Sequence, residues 1–339
     1  MRSDDGLPTS SLLDAAGLDP RFRSSAFENT DGHGHGGGPV PTVTPTDADA
    51  SRKLLSEFVA TNKPVLLKGS LSDWAPVLRW HDDEYLCAAE PLASIDVRRT
   101  DSSGRTSTGS SAYQRESSVS WPSLVHELAE SAARRERGSL YAAQVHLRTV
   151  LPGLFADTRP VPPCIGALGP VWRNAPSLYF GCGARTPLHF DLLENVLCVV
   201  RGRKHVTLWH PADAALLYPC EAAPFSMADV YEPDLTAFPR LAEARTRGLE
   251  VEVGCGDALY IPVGWWHAVS TPQGERSISV SYWAQQPQGK AAEQSPFDDE
   301  EEAGGEQGAG RDQHDPKASA AQREAARSRI TASTFSVHR

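Results

Sequence analysis

Apolar residues follow two different spacings along the middle of the chain. In "DASRKLLSEFVATN", residues 49–62, Leu55, Phe58 and Val59 recur at helical intervals, and Asp47 or Asp49 stands ready to cap the helix. "SWPSLVHELAESAARRERG", residues 120–138, predicts a second helix, with Ser120 as N-cap, Pro122 in the first turn and Gly138 at the close. The short run "KPVLLKGSL" reads as a buried strand ending in a turn, and "SLYAAQVHL" as another. From Ser177 onward strands dominate. "SLYFG", "NVLCVV", "HVTLWH", "LEVEVG", "ALYIP" and "SISVSYW" are short, rich in β-branched and aromatic residues, and separated by Gly or Pro turns. "VVRGRKHVTLW" predicts a hairpin turning at Arg201-Gly202-Arg203. Short strands in series without an internal repeat imply a mainly β fold, a double-sheet jelly roll preceded by helices.

The ends of the chain change that picture. Residues 1–45 and 286–339 are poor in hydrophobics and rich in Gly, Ser, Pro and charge, so both are expected to be disordered tails around a folded region at 46–285. His33 and His35 in "DGHGHGGGP" are too loosely framed by glycine to hold a metal firmly, and a flexible tail is the plainer reading. "AAQREAARSRI" is expected to be transiently helical.

Composition excludes several classes. The net charge of −10 divides into −3, −4 and −3 over the first tail, the middle and the last tail. A mildly acidic middle offers no general attraction for nucleic acid, although Arg134, Arg135 and Arg137 form either a local patch or a solvated helix face. No run of 18 apolar residues exists, so no membrane span is expected. The N-terminus lacks an apolar h-region, so secretion is not expected. Six cysteines are scattered without a CxxC pair, which argues against a zinc module or a disulfide framework and for reduced thiols in cytoplasm or nucleus.

The chemistry concentrates in "TPLHFDLLENVLCVVRGRKHVTLWHP". His189 and Asp191 are next-but-one neighbours at a strand, so their side chains share a face. A second histidine, His267, stands in "GDALYIPVGWWHAVS". Singly, each is readily a satisfied buried polar group. Together, two imidazoles and one carboxylate make the donor set of non-haem Fe(II) oxygenases, which leaves coordination positions open. Such an iron needs a reducing co-substrate to use O₂, and the usual one, 2-oxoglutarate, needs a cation for its distal carboxylate. Lys204 fits that need. It shares a strand face with Val206 and Leu208, so it points at a core, and it is one of only four lysines in residues 46–285. Thr186 and Tyr141 offer hydroxyls, and Asn195 offers an amide to the metal-side carboxylate.

The order TxxHxD, Asn, Lys and GDxLYIPxGWxH resembles the JmjC-type, cupin-like 2-oxoglutarate oxygenases over roughly Asp47 to Trp283. The resemblance implies a double-stranded β-helix with Fe(II) on His189, Asp191 and His267. It implies distal-carboxylate anchors at Thr186 and Lys204, a further co-substrate tyrosine at Tyr141, a substrate-side Gln144 and an orienting Asn195. Ser281 stands where many members carry Asn. The remainder is similar to the small stand-alone hydroxylases, those of the tRNA base wybutosine and of lysine in GTPases, so a protein or tRNA substrate is implied. N-methyl-lysine demethylation and a catalytically silent interaction module are the alternatives, and a cupin isomerase a third. Trp265 and Trp266 either wall the mouth or pack in the core. Oligomeric state and the exact substrate are not readable.

Overall fold

A computed structural model describes residues 37–106, 117–168, 176–220 and 224–284. His33, His35 and the segment 286–339 lie outside the described residues.

The chain first forms β1 (Gly38–Pro39) and β2 (Thr42–Val43), then helix α1 (Ala48–Ala60) and β3 (Val65–Leu67). Asp47, not Asp49, caps α1, accepting a 2.8 Å hydrogen bond from the Ala50 N–H. Short helices α2 (Ala75–Arg79) and α3 (Asp83–Ala89) lead to β4 (Ser94–Arg99) and β5 (Ser117–Ser120). Helix α4 (Trp121–Ala133) follows, then β6 (Leu140–His146), α5 (Leu147–Val150) and α6 (Pro152–Asp157). Strands then take over: β7 (Ser177–Cys182), β8 (His189–Phe190), β9 (Glu194–Arg201) and β10 (Arg203–Trp209). Helix α7 (Leu241–Arg245) precedes β11 (Leu249–Gly254), β12 (Ala258–Ile261), β13 (Trp266–Ser270) and β14 (Arg276–Ala284).

Two sheets form, in the orders β1-β11-β10-β13-β8 and β2-β3-β12-β9-β14-β7-β6-β4-β5. Their inner faces meet in one apolar cluster. Leu197, Val199, Leu259 and Ile261 come from the larger sheet, and Val206, Leu208 and Val253 from the smaller. The outer face of the large sheet is covered by the helices, with Trp121, Leu124 and Leu128 of α4 against Phe180, Ile278 and Val280. The outer face of the small sheet packs Phe190, Trp209 and Trp266 against Leu217, Leu241 and Ala244 of the connection after β10. This is the jelly roll that the strand series predicts.

Two boundaries differ from the sequence reading. Residues 38–43, assigned by composition to the N-terminal tail, pair with β11 in one sheet and with β3 in the other. Two-residue strands carry no periodic signal, so pattern alone does not find them. Helix α4 starts at its Ser120 cap but stops at Ala133 instead of running to Gly138. The chain leaves it through Arg135 in the left-handed region (φ 58°), and the Gly138 N–H is committed to Cys182 O at 2.8 Å. The hairpin at Gly202 is as expected. There φ is +67° and an added Cβ would lie 2.1 Å from Arg276 O, so only glycine fits.

All six cysteines are free. Among the described residues no helix is long and apolar enough to cross a membrane. Arg134, one of the arginines of the possible patch, is exposed and paired with Glu130 and Glu136, as a solvated helix face would be.

Candidate metal centre

Strand register brings the first two donors together. β13 pairs antiparallel with β8 so that His267 stands directly opposite His189, and directly opposed residues share a face. Their rings lie 4.3 Å apart between centroids. Trp266, one residue earlier, points to the opposite side and packs edge-on against Phe190 at 4.9 Å. Asp191 does not lie within β8, which ends at Phe190. It sits just beyond, its carbonyl held by the Gly264 N–H at 2.9 Å, so the turn before β13 fixes the backbone of the third donor.

Both imidazoles are oriented through Nδ1. That of His189 is 2.8 Å from Pro187 O, and that of His267 is 3.0 Å from Trp265 O. A carbonyl can only accept, so each Nδ1 carries the proton and each Nε2 lone pair faces the site. Asp191 Oδ2 is 3.4 Å from His267 Nε2 and Oδ1 is 4.0 Å from His189 Nε2. One donor atom from each of the three lies within 4.8 Å of the others. Asp191 Oδ2 is buried without a well-directed hydrogen bond. Two unprotonated Nε2 atoms and an unsatisfied carboxylate oxygen converging on one point fit a divalent transition ion.

The two imidazoles titrate in opposite directions. Burial, helped by His267 nearby, pushes the His189 imidazole down to about 4, against the pull of Asp191. His267 is equally subject to burial, but contact with the Asp191 carboxylate outweighs it and raises its imidazole. Burial would raise Asp191, yet the two imidazoles and Asn195 hold its carboxyl below the usual range. Asn195 is buried, and its Oδ1 has no hydrogen bond among the described residues.

Lys204 is the other buried charge. Only 3% of it is exposed, and it lies on the inward face of β10 with Val206 and Leu208. Burial pushes its ammonium down to about 8. Leu208 is the register partner of His267, so Lys204 lies four residues further along the same face, roughly 13 Å at strand spacing. The next inward position on β13's course is Thr271, which shares a 2.6 Å hydrogen bond with Ser277, and Ser279 and Ser281 continue that face of β14.

Thr186 acts differently from a free hydroxyl. Its Oγ1 accepts from the Val269 N–H at 3.0 Å and lies 3.3 Å from the Val269 carbonyl, so it ties the approach to β8 onto β13. Tyr141 is 3% exposed and pairs across β6 and β7 with Gly181, where an added Cβ would lie 2.7 Å from its ring. That glycine gives the phenol its place beside Tyr179, 6.4 Å away between ring centroids. Gln144 sits in the bulge of β6 with φ at 54°. Trp265 and Trp266 are buried, 4% and 1% exposed; both pack in cores rather than forming the mouth. Beside Thr186 and Pro187 opens a cavity of about 600 Å³, reaching Arg105, Asp229 and Tyr231.

Several inward residues escape a reading of single motifs. Ser277 and Ser279 share parity with Ser281 and were legible in "SISVSYW" from alternation alone. Tyr179 and Arg98 were not, because only sheet pairing places them by the metal donors.

A family model described as Cupin-like domain matches residues 51–290. Lysine-specific demethylase JMJ31 of Arabidopsis thaliana is 38% identical over 106 residues, 30% of this chain and 19% of that protein. Lysine-specific demethylase 8 of Danio rerio is 32% identical over 241 residues, 67% of this chain and 54% of that protein. Human bifunctional peptidase and (3S)-lysyl hydroxylase JMJD7 is 27% identical over 255 residues, 67% of this chain and 78% of that protein. The chain thus spans about a fifth of the first relative's length and about half of the second's. With the jelly roll, the His-Asp-His convergence and a matching domain model in agreement, the chain belongs to the cupin-like domain family, of the JmjC type.

Proposed function

We propose that the chain is an Fe(II)- and 2-oxoglutarate-dependent dioxygenase that hydroxylates a C–H bond of a protein side chain or of a hypermodified tRNA base. The observation that carries this reading is a buried ammonium on the same inner face as three converging metal donors. His189, Asp191 and His267 would hold the iron, which, when bound with 2-oxoglutarate, supplies O₂ activation coupled to oxidative decarboxylation to succinate and CO₂.

The residues of the chain do the rest. Pro187 and Trp265 carbonyls accept from both Nδ1 atoms and so aim each Nε2 at the site before any ion arrives. Lys204 would bind the distal carboxylate of the co-substrate, and the roughly 13 Å of strand between it and His267 suits a lysine side chain and a five-carbon diacid end to end. Tyr141 and Ser281 would add hydroxyls around the co-substrate, Thr186 would join them by turning its proton away from the Val269 carbonyl, and Asn195 would orient the Asp191 side. The apolar inner cluster of Leu197, Val206 and Leu208 would exclude water between the two ends. Six free cysteines suit a cytoplasmic or nuclear setting.

Relatives named as demethylases favour a second reading, removal of an N-methyl group from lysine as formaldehyde. Incubating the full chain with Fe(II), 2-oxoglutarate and pools of peptides or tRNA tests both. A stable product 16 Da heavier supports hydroxylation, and formaldehyde release supports demethylation. His189→Ala and Asp191→Ala are expected to lower succinate formation at least a thousandfold. Undiminished succinate in either variant would reject the oxygenase assignment.

A further inference from the structure

The inner face of the larger sheet carries a cation that the proposed chemistry does not use. Arg98 lies on β4 directly opposite Tyr141 of β6. Opposed residues share a face, and the alternate residues Ile95 and Val97 lie in the helix-covered core on the other side. Arg98 therefore faces inward with Tyr141, Tyr179 and the triad. It is half-buried, and its Nε is fully buried with no hydrogen-bond partner among the described residues. Among the described residues it forms no ion pair within 4.0 Å, whereas Arg105 and Arg185 nearby are paired with Asp229 and Glu232. Its charge is felt there: burial raises the phenols of Tyr141 and Tyr179, and Arg98 opposes that rise slightly.

A half-buried guanidinium with an unused donor can receive an anion from outside the chain. Resting on the oxygenase reading above, we propose that Arg98 determines specificity by receiving a carboxylate of the substrate, so that the site takes an acidic side chain of a peptide and disfavours lysine or arginine. A single carboxylate suits the surroundings better than a polyanion. Asp101 and Asp229 line the adjoining cavity together with Arg99 and Arg105, and a phosphodiester chain would meet those carboxylates.

The test uses fluorescein-labelled nonapeptides identical except for a central Asp, Glu, Gln, Lys or Arg. Anisotropy is read with the full chain, Mn(II) and 2-oxoglutarate, conditions without turnover. The Asp or Glu peptide is expected to bind at least tenfold tighter than the Lys peptide, with the gap closing as NaCl rises. Arg98→Gln should abolish the preference and Arg98→Lys should retain most of it. Should Arg98→Gln fail to fold, the salt dependence of the wild-type preference decides. Equal binding, tighter Lys binding, no binding at millimolar peptide, or an unchanged preference in Arg98→Gln would overturn the proposal. So would Arg98-dependent binding of a single-stranded RNA 9-mer tighter than that of any peptide. Peptide-free succinate formation by the wild type reads the oxygenase assignment separately: its absence beside a clear acidic preference would remove the chemistry and leave the recognition.

Discussion

The two faces of β14 are made of opposite material. Ile278, Val280 and Tyr282 point outward into the helix-covered core, while Ser277, Ser279 and Ser281 point inward, and all six are buried. The contrast extends to the whole sheet. Outside, Trp121 of α4 is fully buried, lies 5.9 Å from Phe180 between ring centroids and gives its indole N–H to Leu86 O at 2.9 Å. Inside, the same sheet presents Ser277, Ser279, Ser281 and Asn195, and the lysine and metal donors come from the inner side of the smaller sheet. Because strand side chains alternate, one set of backbone hydrogen bonds supports both a stabilising face and a chemical face. Burial alone therefore does not say what a residue is for; the face does.

Substitutions on the two faces sharpen this division. The largest effect on stability belongs to the outer face. Trp121→Ala is expected to destabilise by about 3–5 kcal/mol through cavity formation, read by urea denaturation. Metal affinity of the fraction still folded should stay unchanged. A variant that folds normally but binds Co(II) much more weakly would show that the faces are not separable.

The next effect has the opposite sign. Lys204 has an ordinary lysine value of 10.5 when unfolded and about 8 when folded. Between those values the unfolded chain binds more protons, so stability without co-substrate rises with pH from about 8 to 10.5. At pH 7 the buried charge is destabilising by about 3 kcal/mol, from 1.36 kcal/mol per pKa unit. Lys204→Met should raise the melting temperature of the co-substrate-free protein and abolish the further rise that 2-oxoglutarate gives the wild type. A destabilised Lys204→Met would mean that the ammonium already has a strong internal partner.

The smallest effect is expected at Ser279. Its hydroxyl is buried and has no hydrogen-bond partner among the described residues, so Ser279→Ala should change stability by less than about 1 kcal/mol, with either no change or a gain. A loss as large as that of an outer-face truncation would show that the hydroxyl is tied into the fold and not held for a ligand.

Much of this was legible before any coordinates. Alternation in "RKHVTLW" turned Lys204 inward, and the six strands of the second half lie where their β-branched runs fall. The Ser120 and Gly202 signals mark a helix start and a turn because capping and positive φ are local demands. What was not legible depends on partners distant in sequence. Thr186 spends its hydroxyl on the Val269 backbone, 83 residues away, and Trp265 and Trp266 go to two different cores. No local pattern encodes either choice.

By itself the sequence determined which side chains share a strand face and which residue types are available as donors, because those follow from backbone periodicity and chemistry. Only the tertiary structure decided that His267 stands across from His189, that Asp191 reaches them from beyond the strand end, and that Arg98 looks into the same space. Those facts depend on sheet register and on how the sheets close, and these are set by the sum of many distant contacts.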